Sequence, residues 1–211
     1  MAEQSLHEHL VISLVIDNSY VAKSQTFCDG LKKMTQDLFD YQQSHPHKER
    51  FHLSMTTFGG LEPVKIKSFD EDELQPYECH GFPLLNKALE INLQEMTNHL
   101  STLKAQDKAL YKPWLIILSS GVSYESLSLL SQDAMLHQIS QTTVFPFLMD
   151  DKFLASQVTA MNRLKPFMVI KDHQINALLE WLKMMLDSRL KDNSEVKMRL
   201  DKEMLKDWIY L

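Results

Sequence analysis

Acidic and hydroxyl side chains follow two of the apolar segments in the sequence. The run "LVISLVI" at 10–16 is followed by Asp17 and Ser19, and the run "PWLIIL" at 113–118 leads to Ser120. Carboxylate and hydroxyl oxygens are ligands that Mg²⁺ prefers, and ligands of α/β proteins bind beyond the ends of buried strands. The structural alternative is that Asp17 and Ser19 hydrogen-bond backbone N–H groups in a turn or at a helix start.

Two further groups of residues could do chemistry. The stretch "SSG" at 119–121 could supply a nucleophile, but it lacks the Gly-x-Ser-x-Gly pattern and no His–Asp pair is placed to activate it. We therefore do not expect a hydrolase. The pairs His7/His9 and His45/His47 could bind metal, but each lacks a third and fourth ligand. We expect them to lie in a solvated leader and an exposed loop.

The composition predicts a globular protein of the cytosol. Hydrophobic residues make up 44% of the chain, and the net charge of −6 includes no basic block, so we expect no nucleic-acid partner. Cys28 and Cys79 form no Cys-x-x-Cys pair, which argues against a disulfide scaffold. The beginning, "MAEQSLHEHL", has no signal-peptide pattern. No apolar run approaches the ~20 residues of a membrane span, so we expect no membrane contact.

Short apolar runs rich in β-forming residues alternate with longer segments of helical spacing. Strands are predicted over 10–16, 51–58, 113–118, 143–148 and 167–170. A hairpin arm at 60–69 is predicted as an edge strand, because Pro63 cannot donate a ladder hydrogen bond there. We expect Lys65 and Lys67 on this arm to be exposed. Helices are predicted over 23–43, 84–104, 125–140 and 172–186.

The order of these elements predicts the fold class. The pattern β-α-β-β-α-β-α-β-α-β-α indicates a doubly wound, mostly parallel six-stranded sheet with one antiparallel edge strand and helices on both faces. The apolar runs show little period-2 alternation, as expected of strands buried on both sides. Ligands of such sheets bind beyond the carboxyl ends of the strands, and we call this end of the sheet the crest. Asp17, Ser19 and Ser120 would meet on the crest.

The last segment of the chain differs from the rest. Val196, Leu200, Met204 and Trp208 form an apolar stripe at helical spacing among balanced charges. We therefore predict one α/β domain over 1–190 and a C-terminal amphipathic helical appendage over 191–211. Such a stripe is too apolar to stay in water, so we expect the appendage to pack on its own domain or to form a homodimer with a second copy.

Four motifs in order resemble those of the von Willebrand factor A domain, most closely the bacterial tellurium-resistance-associated TerY-like type. "LVISLVIDNSYVA" resembles the family's strand that ends in Asp-x-Ser-x-Ser, and "FHLSMTTFGG" resembles its second strand. "HGFPLLNKALEINLQEM" is similar to the Gly-Thr-Pro-Leu-x-x-Ala-Leu segment, and "YKPWLIILSSG" to the strand that ends in Thr-Asp-Gly. The resemblance covers roughly residues 10–190 and implies the fold already predicted from periodicity.

The resemblance also implies where a metal would bind. Members of the family typically hold Mg²⁺ or Mn²⁺ at a metal-ion-dependent adhesion site built from Asp-x-Ser-x-Ser, a Thr and the Asp of Thr-Asp-Gly. Here Asp17 and Ser19 match, whereas Val21, Phe82 and Ser120 stand at the other three positions. One carboxylate is few for Mg²⁺, so we expect a degenerate site with no metal and no cofactor. Mg²⁺ binding at the residual positions is the alternative.

The family resemblance further implies a function. It indicates a non-enzymatic protein–protein interaction module, a metal-independent scaffold or regulatory partner in a bacterial cytosolic system of stress or tellurite resistance. The implied protein partner is a phosphatase or a kinase. The alternative is a divalent-cation-dependent ligand binder in which a partner's carboxylate completes the residual site.

Large side chains near the predicted strand ends indicate where a partner would bind. Tyr20, Val21, Phe82 and Tyr124 would meet on the crest, where polar ligand positions have become apolar. Clustered aromatic side chains at a surface commonly anchor interfaces. Phe82 could instead fill the emptied metal cavity, because protein interiors are densely packed. Trp208 of the predicted C-terminal helix is a further candidate.

Overall fold

One sheet with helices packed on its faces forms the described part of the molecule. A computed structural model describes residues 8–19, 25–78, 81, 84–120, 133–149, 168–170, 174–190 and 209–210. The strands are β1 (Leu10–Asp17), β2 (Phe51–Phe58), β3 (Val64–Lys67), β4 (Trp114–Ser119), β5 (Thr143–Met149), β6 (Met168–Ile170) and β7 (Ile209–Tyr210). The helices are α1 (Gln25–Ser44), α2 (Leu85–Ala105), α3 (Asp133–Ser140) and α4 (Ile175–Leu190), with a short 3-10 turn at Lys48–Arg50.

The strands lie side by side in the order β3-β2-β1-β4-β5-β6-β7. The five central strands β2, β1, β4, β5 and β6 run parallel to one another, and the edge strands β3 and β7 run antiparallel to their neighbours. The chain passes from β1 to β2 on one side and reaches β4 on the other, so the strand order reverses between β1 and β4. The predicted α/β fold, with six strands and an antiparallel β3 at the edge, is confirmed.

The seventh strand differs from the sequence prediction. Residues 209–210 were predicted as the end of a helix, but they are extended and pair antiparallel with Met168 and Val169 of β6. Ile and Tyr favour strands, and β6 would otherwise present unpaired backbone N–H and C=O groups at the sheet edge. The helix predicted over the rest of 191–211 lies outside the described residues. So do the segment 125–132 and the helix predicted between β5 and β6.

Side chains alternate between two apolar cores, one on each face of the sheet. Residues Leu10, Ile12 and Leu14 of β1 face α1 and α4, whereas Val11 and Val15 face α2. The predicted apolar faces of the helices lie in these cores. Their buried residues include Phe27, Leu31, Met34, Leu38, Leu85, Leu89, Leu93, Met96, Ile175, Leu178, Leu182 and Leu186. Both faces of β1 are therefore covered, which explains its continuous apolar run.

Strand β2 alternates more than predicted, with polar side chains along the face that α2 covers. Asn92 on α2 accepts hydrogen bonds from Ser13 Oγ at 2.8 Å and Thr56 Oγ1 at 3.1 Å. Ser54 Oγ donates to Ser13 Oγ at 3.1 Å, and Asn92 Nδ2 donates to the Ala88 carbonyl at 2.7 Å. We call Ser13, Ser54, Thr56 and Asn92 the polar seam. It fixes α2 against β1 and β2.

Three expectations about exposed side chains were wrong. His9 and His45 are buried, because His9 bonds to His52 and His45 Nε2 lies 3.2 Å from the Asp187 carboxylate on α4. Lys67 is also buried, and its Nζ donates to the backbone carbonyls of residues 68 and 71. Lys65 remains on the exposed edge. None of the helices in the described ranges is long and apolar enough to cross a membrane.

Candidate functional site

The candidate site lies on the crest, where β1 and β4 end side by side. Asp17 is the last residue of β1, Ser19 follows two positions later, and Ser120 directly follows β4. β1 and β4 pair in parallel from Ile12↔Trp114 to Ile16↔Leu118, so their carboxyl ends stop at the same level. The structure therefore brings the three residual metal positions of the sequence prediction together.

The Asp17 carboxylate joins the two strand ends by hydrogen bonds. Its Oδ1 accepts from the Ser19 backbone N–H at 2.9 Å and from the Ser19 hydroxyl at 2.6 Å. Its Oδ2 accepts from the Ser120 backbone N–H at 2.8 Å and from the Ser120 hydroxyl. All three residues are fully buried. These four donors stabilise the negative charge of the buried carboxylate.

The N–H groups that Asp17 binds lie directly after the ends of β1 and β4. The bond to Ser19 closes a turn over two residues, and the bond to Ser120 crosses from β1 to β4. Helix α1 is described only from Gln25 onward. The Ser120 hydroxyl is fully buried, and it donates its hydrogen bond to Asp17.

Glycines close the crest around Asp17. A Cβ atom on Gly59 would lie 2.5 Å from both Asn18 Oδ1 and the Ser19 nitrogen. Gly81 has a φ of +67°, and a Cβ there would lie 2.1 Å from the Gly59 carbonyl oxygen. Only glycine allows these backbones to approach so closely. The end of β2 therefore packs directly against the turn that follows β1.

A cleft beside the crest involves a residue that the sequence analysis did not single out. It measures about 340 Å³ and lies between the end of β1 and the edge strand, with Asn18, Thr57, Val64 and Tyr77 in its wall. Asn18 Nδ2 donates to the Glu78 carbonyl at 2.7 Å, which holds the segment before residue 79 against the crest. The adjacency of Asn18 to Asp17 after a buried strand was the available sequence signal.

Few metal ligands converge at this point. The described residues supply one carboxylate and two hydroxyls, whereas Mg²⁺ demands a near-octahedral shell, usually of oxygens. Within the described ranges, no group of three or more His, Cys, Asp or Glu side chains could hold a metal ion. The remaining predicted site residues lie outside those ranges, and these are Tyr20, Val21, Phe82, Tyr124 and Trp208.

Three histidines form a second polar cluster at the amino ends of β1 and β2. His9 Nδ1 lies 2.9 Å from His52 Nε2, and the rings of His52 and His99 are 4.9 Å apart. Burial lowers the pKa of His52 to about 3, and neighbouring His99 and His9 add to the effect. Burial also lowers the pKa values of His9 and His99, although Asp70, 3.4 Å from His99, opposes the shift there. The polar residues at alternate positions of β2 were the signal for this cluster.

Comparisons with known proteins find likeness at the level of structure. No protein-family model matches the chain, and no curated protein matches it significantly. The manganese-loaded TRAP protein of Plasmodium vivax matches with a TM-score of 0.57 at 14% identity, over 82% of this chain and 73% of that chain. A von Willebrand factor type A structure from Catenulispora acidiphila has a TM-score of 0.57 at 12% identity, over 87% and 43%.

The share of the matched protein that this chain covers varies widely among other matches. The SpRpn10 VWA domain has a TM-score of 0.51 at 10% identity, with 81% of this chain and 95% of that domain covered. By contrast, the chain spans 48% of proximal thread matrix protein 1 from the mussel byssus and 30% of the pilus adhesin SpaC from Lactobacillus rhamnosus GG. At these identities the likeness concerns the fold alone, and the chain has the fold of a von Willebrand factor A domain.

Proposed function

We propose that this chain is a non-enzymatic protein–protein interaction module that works without a metal ion. The observation that carries the proposal is the Asp17 carboxylate, whose two oxygens each accept one N–H and one O–H donor. A metal at Asp17 would have to displace those donors, and Val21 and Phe82 offer no oxygen in their place. A buried carboxylate already bonded in this way is a structural tie between β1 and β4.

A melting experiment tests metal independence. A bound ion stabilises a fold by roughly 2–3 kcal/mol at a hundredfold excess over its dissociation constant. We expect the melting temperature to be the same in EDTA, in millimolar Mg²⁺ and in millimolar Mn²⁺. A rise of several degrees that is lost in both Asp17→Ala and the milder Ser19→Ala variant would overturn the proposal.

Partner binding on the crest is the second part of the proposal. Tyr20, Val21, Phe82 and Tyr124 are the partner-binding residues, with Trp208 as a further contact. Tyrosine rings at strand ends can bury much area while their hydroxyls stay wet, which suits an interface. We expect Tyr20→Ala combined with Tyr124→Ala to weaken the capture of binding proteins from native lysate, as measured by mass spectrometry, while the fold remains intact.

Control variants show whether a loss of capture is specific to the crest. Lys33→Ala with Glu90→Ala changes exposed side chains on α1 and α2 and should leave capture unchanged. Lys65→Ala tests the β3 edge, where Lys65 pairs with Glu95 at 2.9 Å. Loss of capture in the Lys65 variant, with full capture in the tyrosine variant, would place the interface on the sheet edge and contradict the crest proposal. Lys67 is unsuitable as an edge control because it is buried.

The resemblance to TerY-like domains supports a narrower proposal for the biological setting. We place the protein in the bacterial cytosol, in a stress or tellurite-resistance system, with a phosphatase or kinase as its protein partner. No nucleic acid, membrane or cofactor is part of this proposal. A homodimer through the C-terminal segment is compatible with it. Identification of the captured proteins tests the setting directly.

One observation favours a second candidate function, a divalent-cation-dependent ligand binder. The hydroxyls of Ser19 and Ser120 both lie within hydrogen-bonding distance of the Asp17 carboxylate. A carboxylate from a partner could complete a cation site built on these oxygens. In that case capture of the partner would require Mg²⁺ or Mn²⁺ and would be abolished by EDTA, whereas the leading proposal expects capture in both buffers.

A further inference from the structure

A groove lies at the end of the sheet opposite the crest. It has a volume of about 640 Å³ and runs between α2, the segment that leads into β4, and the C-terminal end of α3. Pro113 and Thr142 of its wall directly precede β4 and β5, so the groove opens beyond the amino ends of the parallel strands. Asp17 is the last residue of β1 and lies at the carboxyl ends of the strands. The groove is therefore separate from the candidate site.

The groove has an apolar floor and a cationic rim. Met96, Leu100 and Leu110 lie in the floor, and Met96 packs into the core beneath α2. Lys104, Lys112 and His137 are exposed in its wall. No Asp or Glu is among the described residues that line it, although the whole chain carries a net charge of −6. The rim is therefore a local positive region on an acidic protein.

The helix ends that reach the groove do not cancel this positive charge. Both α2 and α3 end beside the groove, and helix C-termini carry partial negative charge on unpaired carbonyls. Here the carbonyls of residues 102, 103 and 104 accept N–H groups from residues 106–108. The carbonyls of His137, Gln138 and Ile139 accept N–H groups from Gln141 and Thr142. Full positive charges on Lys104 and Lys112 therefore dominate the rim.

The shape of the groove selects the kind of ligand. Small-molecule sites bury about 70–90% of their ligand. In this groove the side chains of Ser101, Lys104, Lys112, His137 and Gln141 are all exposed, so the groove is open to solvent along its walls. An apolar floor between two helices with charged rims suits an extended or helical peptide segment, which places apolar side chains down and charged ones outward.

We propose that this groove docks an acidic amphipathic segment of a partner protein. Apolar side chains of the segment pack on Met96, Leu100 and Leu110, while its carboxylates pair with Lys104 and Lys112. The inference rests on the proposed function as an interaction module, and it adds a second contact surface and the charge of the partner. Complementary charges at a rim act mainly on the association rate, so binding through this surface weakens as salt is added.

Two synthetic peptides of equal length test the inference. Both carry leucines at i, i+3, i+4 and i+7, and their remaining positions are Glu in one peptide and Lys in the other. We expect NMR titration of the full chain with the Glu peptide to shift the amide signals of residues 96–104 and 137–142. We expect the Lys peptide to leave them in place. Equal shifts with both peptides, or shifts elsewhere with the Glu peptide, would overturn the proposal.

Charge-reversal variants locate the interaction. Lys104→Glu with Lys112→Glu should weaken binding of the Glu peptide by about tenfold or more, because like charges then face each other. Lys33→Glu with Lys48→Glu makes the same change in net charge on exposed lysines away from the groove and should have little effect. Equal weakening in both pairs would show that only overall charge matters and would reject the groove. Neither outcome depends on the crest, so lost capture through Tyr20 and Tyr124 is a separate result.

Discussion

At the scale of single residues, the burial of Asp17 decides how the crest should be understood. An ionised carboxylate costs several kcal/mol to bury unless donors replace its water. Two backbone N–H groups and two serine hydroxyls supply those donors, and they come from different strand ends. The three side chains at the residual metal positions are thus hydrogen-bonded to one another through the Asp17 carboxylate. We therefore expect them to matter for folding stability.

Replacing Asp17 by asparagine tests this role. Asp17→Asn keeps the size of the side chain but turns one oxygen into an NH₂ group that faces donors. Each buried donor left without an acceptor costs about 1–3 kcal/mol, so we expect a loss of about 2–4 kcal/mol in the free energy of unfolding in urea. Asp40→Asn, on the exposed surface of α1, is the matched control. Equal losses in the two variants would contradict the structural role of Asp17.

The histidine cluster predicts how stability depends on pH. The folded-state pKa of His52 is lowered to about 3 from 6.5, chiefly by burial, and those of His9 and His99 are lowered too. Because unfolding then takes up protons, stability is complete above about pH 6.5 and falls as the pH drops toward 3. His52 alone accounts for about 2 kcal/mol at pH 5. Lysines 67 and 108 strengthen the effect, while Asp70 and Glu95 weaken it.

Comparing variants across this pH range isolates the cluster from other titrating groups. His52→Gln should lose less stability between pH 7 and pH 5 than the parent chain, as followed by urea denaturation at each pH. His137→Gln, at an exposed position on α3, should keep the parent's pH dependence. If the parent and His52→Gln curves stay parallel, protonation of His52 does not contribute.

At the scale of elements, α2 is held by polar as well as apolar contacts. Leu85, Leu89 and Leu93 pack on the sheet, and Asn92 lies among them in the polar seam. A buried hydrogen-bonded network fixes one arrangement of its elements, because any other arrangement leaves polar groups unpaired. Strands β1 and β2 align Ser13 with Ser54 directly. The seam therefore defines the position of α2 along both strands.

Asn92 is the acceptor on which the seam depends. Asn92→Ala should remove the acceptor for Ser13 and Thr56 and cost about 2–4 kcal/mol in unfolding free energy. Adding Ser13→Ala, Ser54→Ala and Thr56→Val to Asn92→Ala should cost less than the sum of the four single changes, since no hydroxyl of the seam is then left unpaired. Thr97→Ala on the same helix is the control, because the Thr97 hydroxyl donates to the Leu93 carbonyl of α2 and accepts from Gln138 of α3, away from the seam. Additive losses would mean that the seam does not act as a unit.

At the scale of the whole molecule, much of the sheet could be predicted from the sequence because burial on both faces requires apolar residues throughout. Because of that requirement, β1 and β4 stand out in the sequence as continuous apolar runs. The same requirement does not reveal the hydrogen-bond partner of a buried polar group, which depends on neighbours far away in sequence. His9 meets His52, and Lys67 meets carbonyls of a local turn, so neither burial followed from composition. Asp17, Ser19 and Ser120 could be placed together because the carboxyl ends of neighbouring parallel strands lie at the same end of the sheet.

The two edge strands of the sheet, β3 and β7, differ in how they are formed. At one edge, β3 is only four residues long and carries Lys65, and both features limit pairing with other chains. At the other edge, the chain returns after α4 and adds β7 to β6. Each added strand pairs backbone groups that would otherwise face solvent. The C-terminal segment is therefore part of the sheet at residues 209–210, even though it was predicted as a separate appendage.

This pairing gives the last prediction, which concerns removal of residues 191–211. A chain that ends at Leu190 loses β7, so the backbone of Met168 and Val169 becomes an open edge. It also loses the apolar stripe that includes Val196 and Trp208. We expect a lower melting temperature and a tendency to associate through the exposed β6 edge, seen as an earlier elution volume in size-exclusion chromatography. A chain that lacks only Leu211 keeps both strand residues and is the matched control. Unchanged melting, solubility and elution of the shorter chain would mean that the segment after α4 contributes nothing to the sheet.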